Sequence, residues 1–166
     1  MKMKNSDHLP LYGVGPLYGA ITVALTVAGC VVGSLVHFGR VPQFKTPLLI
    51  LGILLIVYGV SLWIRAVLVA KLDDNIKENR LVTGGVYAHV RNPIYSAIMF
   101  ACTGALCITG NLLFLPLFFA FRALMTVMMK NTEEKWLLDR FGKRYSDYCK
   151  HVNRAIPWFA KKGDKK

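Results

Sequence analysis

The sequence predicts an all-α protein, a bundle of four membrane-spanning helices whose main polar segments lie on one side of the membrane. Hydrophobic residues make up 54% of the 166 residues, above the roughly 45–50% of an ordinary soluble domain. They are concentrated in four long segments that contain no Asp or Glu, and basic residues flank those segments. Both features are typical of membrane proteins, so we expect one integral membrane domain over residues 1–166.

The four predicted spans cover about residues 17–38, 47–70, 93–109 and 112–129. At 1.5 Å per residue each reaches roughly 25–36 Å, enough to cross a bilayer core of about 30 Å. Because a bilayer interior offers no partner to free backbone groups, the spans must be helical. The turn residues Thr109-Gly110-Asn111 predict a tight hairpin between the third and fourth spans.

The first span carries two small motifs. Gly29 and Gly33 form a G-x-x-x-G face, which either allows a close helix contact or reflects the general frequency of Gly in membrane helices. Val27–Cys30 resembles a lipoprotein cleavage box. The long polar lead before the apolar stretch, and the continuation of that stretch through Val36, favour an uncleaved span instead.

The distribution of Lys and Arg predicts the orientation. With the N-terminus inside and four crossings, 17 of the 21 basic residues lie on the inner side and two, Arg40 and Lys45, on the outer side. The positive-inside rule then places both termini, the loop 71–92 and the tail 130–166 at the cytoplasmic face, where loop and tail can meet. This pattern also accounts for the net charge of +12, so we expect no nucleic-acid partner.

The tail is predicted to form amphipathic helices at the membrane interface as far as residue 159, with a solvated end at 160–166. Its apolar residues recur at helical spacing and Gly142 is a candidate helix stop, while aromatic residues favour an interfacial position. The residues of this face are Trp136, Leu137, Phe141, Tyr145, Tyr148 and Val152.

Two polar clusters flank the spans, and each has a structural and a functional interpretation. Arg91-Asn92-Pro93 is either an anchor, N-cap and first helical residue, or a helix N-terminus that holds a carboxylate, with Tyr95 one turn further on. Glu133-Glu134 is either a solvated first turn, in which Asn131 and Glu134 form a capping pair, or a carboxylate that holds a ligand ammonium.

Two basic residues lie inside predicted spans. Arg65 is near enough to the inner end of the second span to reach the interface. Arg122 is in the middle of the fourth span, where it contacts either an anionic group of a lipid-like substrate or carbonyl and hydroxyl groups of neighbouring helices.

Several common kinds of catalytic and nucleotide-binding site are excluded because their motifs are absent. The sequence contains no H-E-x-x-H, G-x-S-x-G or P-loop, and Gly13-Val14-Gly15 does not complete a dinucleotide-binding motif. We predict no metal site, because the His and Cys residues lack ligand spacing, and no Rossmann domain, because strands and helices do not alternate.

The two polar clusters lie within longer motifs that resemble the isoprenylcysteine carboxyl methyltransferase and phospholipid methyltransferase superfamily. The loop motif is Leu81–Tyr87 followed by Arg91–Tyr95. The C-terminal motif comprises Glu133, Glu134, Leu138, Phe141, Gly142, Tyr145, Tyr148, Val152, Arg154 and Pro157.

This resemblance implies an S-adenosylmethionine-dependent membrane methyltransferase, with S-adenosylhomocysteine as product and a pocket closed by loop and tail. Glu133 is expected to pair with the cofactor ammonium, Tyr87 or Tyr95 to face the sulfonium, and donors near Asn92 to take the carboxylate. The matched cofactor positions are Asn79, Arg80, Leu81, Val82, Tyr87, Asn92, Pro93, Ile94, Tyr95 and Glu133.

The chain departs from the prenylcysteine enzymes at two positions. Asn92 replaces a His, and Met129, followed by Lys130, replaces an Arg that is proposed to meet the substrate. Arg122, Lys130 and Arg65 are therefore our substrate-contact candidates. We expect a lipophilic acceptor, first a prenylcysteine-like carboxylate, with a phospholipid amine or another small lipophile as the alternative and a non-catalytic scaffold or binding protein as the competing class.

Overall fold

The computed structural model describes residues 13–35, 39–69 and 80–158, which form helices and turns. Three short 3₁₀ segments lie at Pro42–Phe44, Gly85–Ala88 and Leu112–Phe114, and a π-helical turn, Arg65–Val69, continues the second helix. The α-helices in these ranges are α1 Gly15–Leu35, α2 Lys45–Ile64, α3 Pro93–Ile108, α4 Leu117–Asn131, α5 Glu133–Phe141 and α6 Lys143–His151. The predicted all-α class is confirmed.

Within the described ranges, three helical stretches are long and apolar enough to cross a membrane: Gly15–Leu35, Pro42–Val67 and Leu112–Asn131. The prediction of a membrane protein is therefore confirmed for these stretches. The remaining predicted span corresponds to α3, an apolar helix of 16 residues. At 1.5 Å per residue α3 is about 24 Å long, somewhat less than a bilayer core.

Helix α3 is the centre of the bundle, in contact with α1, α2 and α4. It is buried along most of its length, whereas α1, α2 and α4 expose apolar faces outward. That distribution suits a bilayer, because lipid tails cover exposed Leu, Ile and Val side chains without cost. Tyr18, Phe121 and Met125 pack against α3 and complete its buried surroundings.

The packing of α2 on α3 depends on small residues. A Cβ at Gly52 would lie 2.6 Å from the carbonyl oxygen of Gly104, and one at Gly59 would lie 2.7 Å from the carbonyl oxygen of Ala97. The two backbones therefore approach too closely to admit a side chain at either glycine. Such contacts between backbones are how membrane helices gain van der Waals contact without a hydrophobic driving force.

The predicted Gly29–Gly33 face is buried and forms a contact of a different kind. A Cβ at Gly29 would meet Leu106, and one at Gly33 would meet Phe114. The glycines thus receive large side chains from α3 and from the segment before α4, instead of approaching another backbone.

The predicted hairpin turn lies at the end of the bundle where α3 gives way to α4. Gly110 has φ +68°, and the side chain of Asn111 accepts a hydrogen bond from the backbone of Leu113 at 3.0 Å. At the same end Arg40 donates to the carbonyls of Gly33 and Ser34, which belong to the last turn of α1. A cation there complements the negative end of the helix dipole.

The tail forms α5 and α6, separated at the predicted stop. Gly142 has φ +52°, a conformation that Gly adopts readily, and its N–H donates to the carbonyl of Leu138 at 2.8 Å. The alternative of a capping pair between Asn131 and Glu134 is wrong. Thr132 is the N-cap of α5, and Glu134 bonds to Arg154 instead.

Candidate functional site

The loop before α3 and the tail after α6 are joined by backbone and side-chain hydrogen bonds. The N–H of Arg91 donates to the carbonyl of Asn153 at 2.8 Å, and the N–H of Trp158 donates to the carbonyl of His89 at 3.0 Å. The side-chain amide of Asn92 donates to the carbonyl of Arg154 at 3.1 Å. Two stretches about sixty residues apart therefore form one surface at the end of the bundle.

Aromatic and hydroxyl groups extend this junction towards the bundle. The hydroxyl of Tyr148 donates to the carbonyl of Tyr87 at 2.6 Å, and the hydroxyl of Ser96 donates to the carbonyl of Ala155 at 2.6 Å. Tyr87 and Ala155 are buried. The 3₁₀ turn Gly85–Ala88 is thus held between the tail and the start of α3.

Asn92 occupies the N-cap position of α3 and Pro93 its first turn, as the sequence indicates. The cap operates through the backbone, since the carbonyl of Asn92 accepts the N–H and the hydroxyl of Ser96. The side chain of Asn92 is used to hold the tail. Asn92 is therefore a residue of the loop–tail junction as well as a helix cap.

Glu134 is the centre of an ion cluster that fastens the tail. Its carboxylate receives two hydrogen bonds from Arg154, at 2.6 and 2.9 Å, and lies 3.3 Å from Nη1 of Arg91. The hydrogen bonds to Glu134 raise the pKa of Arg154 above its usual value. Arg91 also contacts the thiol of Cys149 on α6. One carboxylate thus ties the loop, α5 and the segment after α6 together.

Glu133, the neighbouring residue, points to different surroundings. Its Oε1 accepts a hydrogen bond from the hydroxyl of Tyr95 on α3 and another, at 2.9 Å, from the backbone N–H of Val14. Burial raises the pKa of this carboxyl above the ordinary value, and the two hydrogen bonds oppose that shift. The ring of Tyr18 lies 5.3 Å from that of Tyr95. Glu133 is therefore a half-buried carboxyl at the start of α5, between the turn that precedes α1 and helix α3.

Several predicted cofactor residues lie at this end of the bundle. Tyr87 and Tyr95 are buried there, and Pro93 and Ile94 belong to the first turn of α3. Leu81 and Val82 are half-buried, whereas Arg80 is exposed. Asn79 lies outside the described residues.

The three substrate-contact candidates are exposed. Lys130 is in the last turn of α4, next to the glutamate pair. Arg65 begins the π turn, which contacts the 3₁₀ turn Gly85–Ala88. Arg122 lies nine residues before the end of α4, about 13 Å along the helix, on an outer surface and away from the buried interior. Lys130 is thus the candidate nearest to Glu133 in the chain.

The sequence did not predict the contribution of α1 to this site. Gly13 and Val14 lie against Glu133, and Tyr18 packs on Tyr95. The only signal was the pair of glycines at 13 and 15, which fits no nucleotide-binding motif. A positive-φ turn that presents a backbone N–H to a distant carboxyl has no motif of its own.

The donor set suits a zwitterionic, positively charged ligand such as S-adenosylmethionine. The carboxylate of Glu133 would suit an ammonium group, and the aromatic rings of Tyr87 and Tyr95 would suit a cation. Nε of Arg91 is buried and has no hydrogen-bond partner among the described residues. A buried unpaired donor is costly, and an anionic ligand group would satisfy it.

The sequence is similar to those of known methyltransferases. Protein-S-isoprenylcysteine O-methyltransferase of Schizosaccharomyces pombe is 35% identical to the chain over 81 residues. The match covers 49% of this chain and 34% of that protein, so the chain accounts for about a third of its relative's length. No solved structure matches significantly. The profile of the phospholipid methyltransferase family matches residues 47–144, well over half of the sequence, and the chain belongs to that family.

Proposed function

We propose that the protein transfers a methyl group from S-adenosylmethionine to a lipophilic acceptor that enters from the bilayer. The observation that carries this proposal is Glu133, a half-buried carboxyl that accepts hydrogen bonds from Val14, just before α1, and from Tyr95 on α3. A carboxyl whose pKa is raised by burial is a costly feature, and such groups are concentrated at functional sites. The family match supports methyl transfer as the reaction.

Each residue of the site has a role in binding or orientation. When bound, S-adenosylmethionine supplies an activated methyl group on sulfur, so that no separate activation step is required. Glu133 pairs with the ammonium group, while Nε of Arg91 and the N-terminus of α3 hold the carboxylate. Tyr87 provides an aromatic face for the sulfonium. The protein then accelerates the displacement mainly by holding donor and acceptor in line.

The first choice of acceptor is a carboxylate of the isoprenylcysteine type. A carboxylate attacks without a strong base, and the chain has Asn92 where the prenylcysteine enzymes carry His. Lys130, exposed beside the glutamate pair, is positioned to attract such an anion. The relative in Schizosaccharomyces pombe carries the name of this reaction.

The second choice is the amine of a phospholipid, which the description of the matching family favours. An amine must lose its proton before it attacks. Asn92 cannot serve as that base, so the proton would leave through solvent or another group.

We also propose that all four long helices cross the membrane, with the N-terminus, the loop and the tail in the cytoplasm. The starts of α1 and α3 and the end of α4 lie together at the Glu133 end, while Arg40 and Asn111 lie together at the opposite end. This alternation supports four crossings, and the 17-to-2 distribution of basic residues supports the orientation.

The function is tested by the identity of the methylated product. Membranes from cells that express the protein are incubated with methyl-labelled S-adenosylmethionine, and the lipid extract is treated with base. We expect labelled lipid that loses its label as methanol, because a methyl ester is base-labile. Base-stable label indicates the amine.

The control for that experiment is the Glu133→Gln variant in the same membranes, since Gln cannot pair electrostatically with an ammonium group. We expect its labelling to fall to the level of membranes without the protein. Equal labelling in all three preparations would support a scaffold or binding protein in place of an enzyme.

A further inference from the structure

The start of α1 contacts Glu133, although it lies outside the family match, which begins at residue 47. The N–H of Val14 and the hydroxyl of Tyr95 donate to the same oxygen, Oε1 of Glu133. Val14 is 119 residues away from Glu133 in the sequence. Two separate elements therefore fix one oxygen of one carboxyl.

The contact with Glu133 requires glycine at position 13. Its φ is +47°, and a Cβ added there would meet Oε1, Cδ and Cγ of Glu133 before anything else. Gly19, on the second turn of α1, is the control position, because a Cβ there would make only an ordinary 3.6 Å contact with Ile98. The absence of a side chain at position 13 thus leaves room for the carboxylate of Glu133.

Burial and hydrogen bonding have opposite effects on the charge of Glu133. Burial favours the neutral carboxyl, and each donated hydrogen bond favours the charged form. The titratable groups on the elements packed here are Tyr95, which bonds to it, Tyr18, whose ring lies behind Tyr95, and Lys130, which is exposed in the last turn of α4. Its neighbour Glu134 is already paired with Arg154 and Arg91. The hydrogen bonds from Val14 and Tyr95 therefore favour the anionic form of the half-buried Glu133.

We propose that the Gly13–Val14 turn and Tyr95 form a seat that positions Glu133 and keeps it charged for the cationic group of the cofactor. This inference rests on the proposed function, because it assigns to α1 a part in the same site. Gly13, Val14 and Tyr95 are positioning residues in this role, since they act through Glu133.

The seat is tested by calorimetric titration of the purified full chain in detergent with S-adenosylhomocysteine. Gly13→Ala displaces the turn or the carboxylate, and Tyr95→Phe removes one donor. Because hydrogen bonds to charged groups contribute about 1.5–3 kcal/mol, we expect each variant to bind roughly ten- to a hundredfold more weakly at pH 7. Gly19→Ala, the matched control, should bind within about twofold of the parent by the same reasoning.

Two further measurements separate positioning from general damage to the fold. Tyr95→Phe removes a donor that holds the pKa of Glu133 down, so the acidic limb of its binding profile should move to higher pH. When either substitution is added to Glu133→Gln, binding should weaken no further, because the residue through which they act is already neutral.

The outcomes distinguish this proposal from the one on which it rests. If the parent binds no S-adenosylhomocysteine, the proposed function fails and the seat fails with it. If the parent binds and Tyr95→Phe and Gly13→Ala bind equally well, the seat alone is refuted. A uniform loss of affinity at every pH, repeated in full on the Glu133→Gln background, also refutes the seat, because the effect would then not pass through Glu133.

Discussion

Glu133 and Glu134 are adjacent in the sequence but belong to different environments. Glu134 is paired with two arginines, while the half-buried Glu133 accepts hydrogen bonds from the hydroxyl of Tyr95 and the amide of Val14 and has no ion-pair partner among the described residues. Glu134 stabilises the tail, whereas partial burial makes the ionised form of Glu133 costly. Buried groups of the second kind are retained where function requires them.

This contrast predicts opposite effects on stability. Glu134→Gln should lower the free energy of unfolding by about 1–3 kcal/mol, because it leaves Arg154 and Arg91 with a neutral partner. Glu133→Gln keeps an oxygen that accepts both hydrogen bonds and removes the buried charge, so it should unfold at the same or a higher temperature than the parent. Thermal unfolding in detergent at pH 7.5 measures both variants.

The difference in stability between Glu133→Gln and the parent should change with pH in one direction. Burial raises the pKa of Glu133 in the folded protein above its unfolded value, so the stability penalty is absent below the unfolded pKa, grows between the unfolded and the folded pKa, and is constant above the folded pKa. The advantage of Glu133→Gln should therefore increase from acidic to neutral pH. A stability difference that is independent of pH would show that Glu133 does not carry a buried charge.

At the scale of the helices, packing between α2 and α3 depends on the close approach of Gly52 and Gly104. Gly52→Ala places a Cβ 2.6 Å from a backbone oxygen, which cannot move like the end of a side chain. We expect the helices to separate at a cost of about 1–3 kcal/mol, which would appear as a lower unfolding temperature. Gly19→Ala, with its ordinary contact, is the control and should leave that temperature unchanged.

The helices were largely predictable, and their contacts were not. Long apolar segments gave each span to within a few residues, because exclusion of charge from lipid is a strong constraint. The G-x-x-x-G search found Gly29 and Gly33, but the closest backbone contact uses Gly52 and Gly104, which match no such motif. Spacing within one helix does not reveal which face the next helix occupies.

The residues of the candidate site that belong to sequence motifs could be predicted. The contacts that distant residues make with them in the folded protein could not. The two motifs indicated Arg91–Tyr95 and Glu133-Glu134 as parts of one site, and these residues lie together at one end of the bundle. Different roles for the two glutamates could not be predicted from the sequence, since each role depends on which partners reach the side chain in the folded protein. It also missed Val14, whose contribution is a backbone amide and therefore has no side-chain signature.

For the whole molecule, the arrangement predicts that loop and tail share one membrane face. In variants that each gain one cysteine, Thr83→Cys and Lys135→Cys should react with an impermeant thiol reagent from the same side of sealed vesicles, and Gln43→Cys from the other. All three positions are exposed, and the parent, with its four native cysteines, gives the background. Reaction of Thr83→Cys and Gln43→Cys from the same side would exclude the four-crossing topology.

The most direct test of the account is a calorimetric titration of S-adenosylhomocysteine into the parent, Glu133→Gln and Glu134→Gln at neutral pH. We propose that Glu133 binds the ammonium group of the cofactor, whereas Glu134 holds the tail through Arg154 and Arg91. We therefore expect saturable binding by the parent and a loss of about tenfold or more in Glu133→Gln. Glu134→Gln should bind more strongly than Glu133→Gln under conditions where it stays folded. Binding by Glu133→Gln that equals the parent would contradict the account.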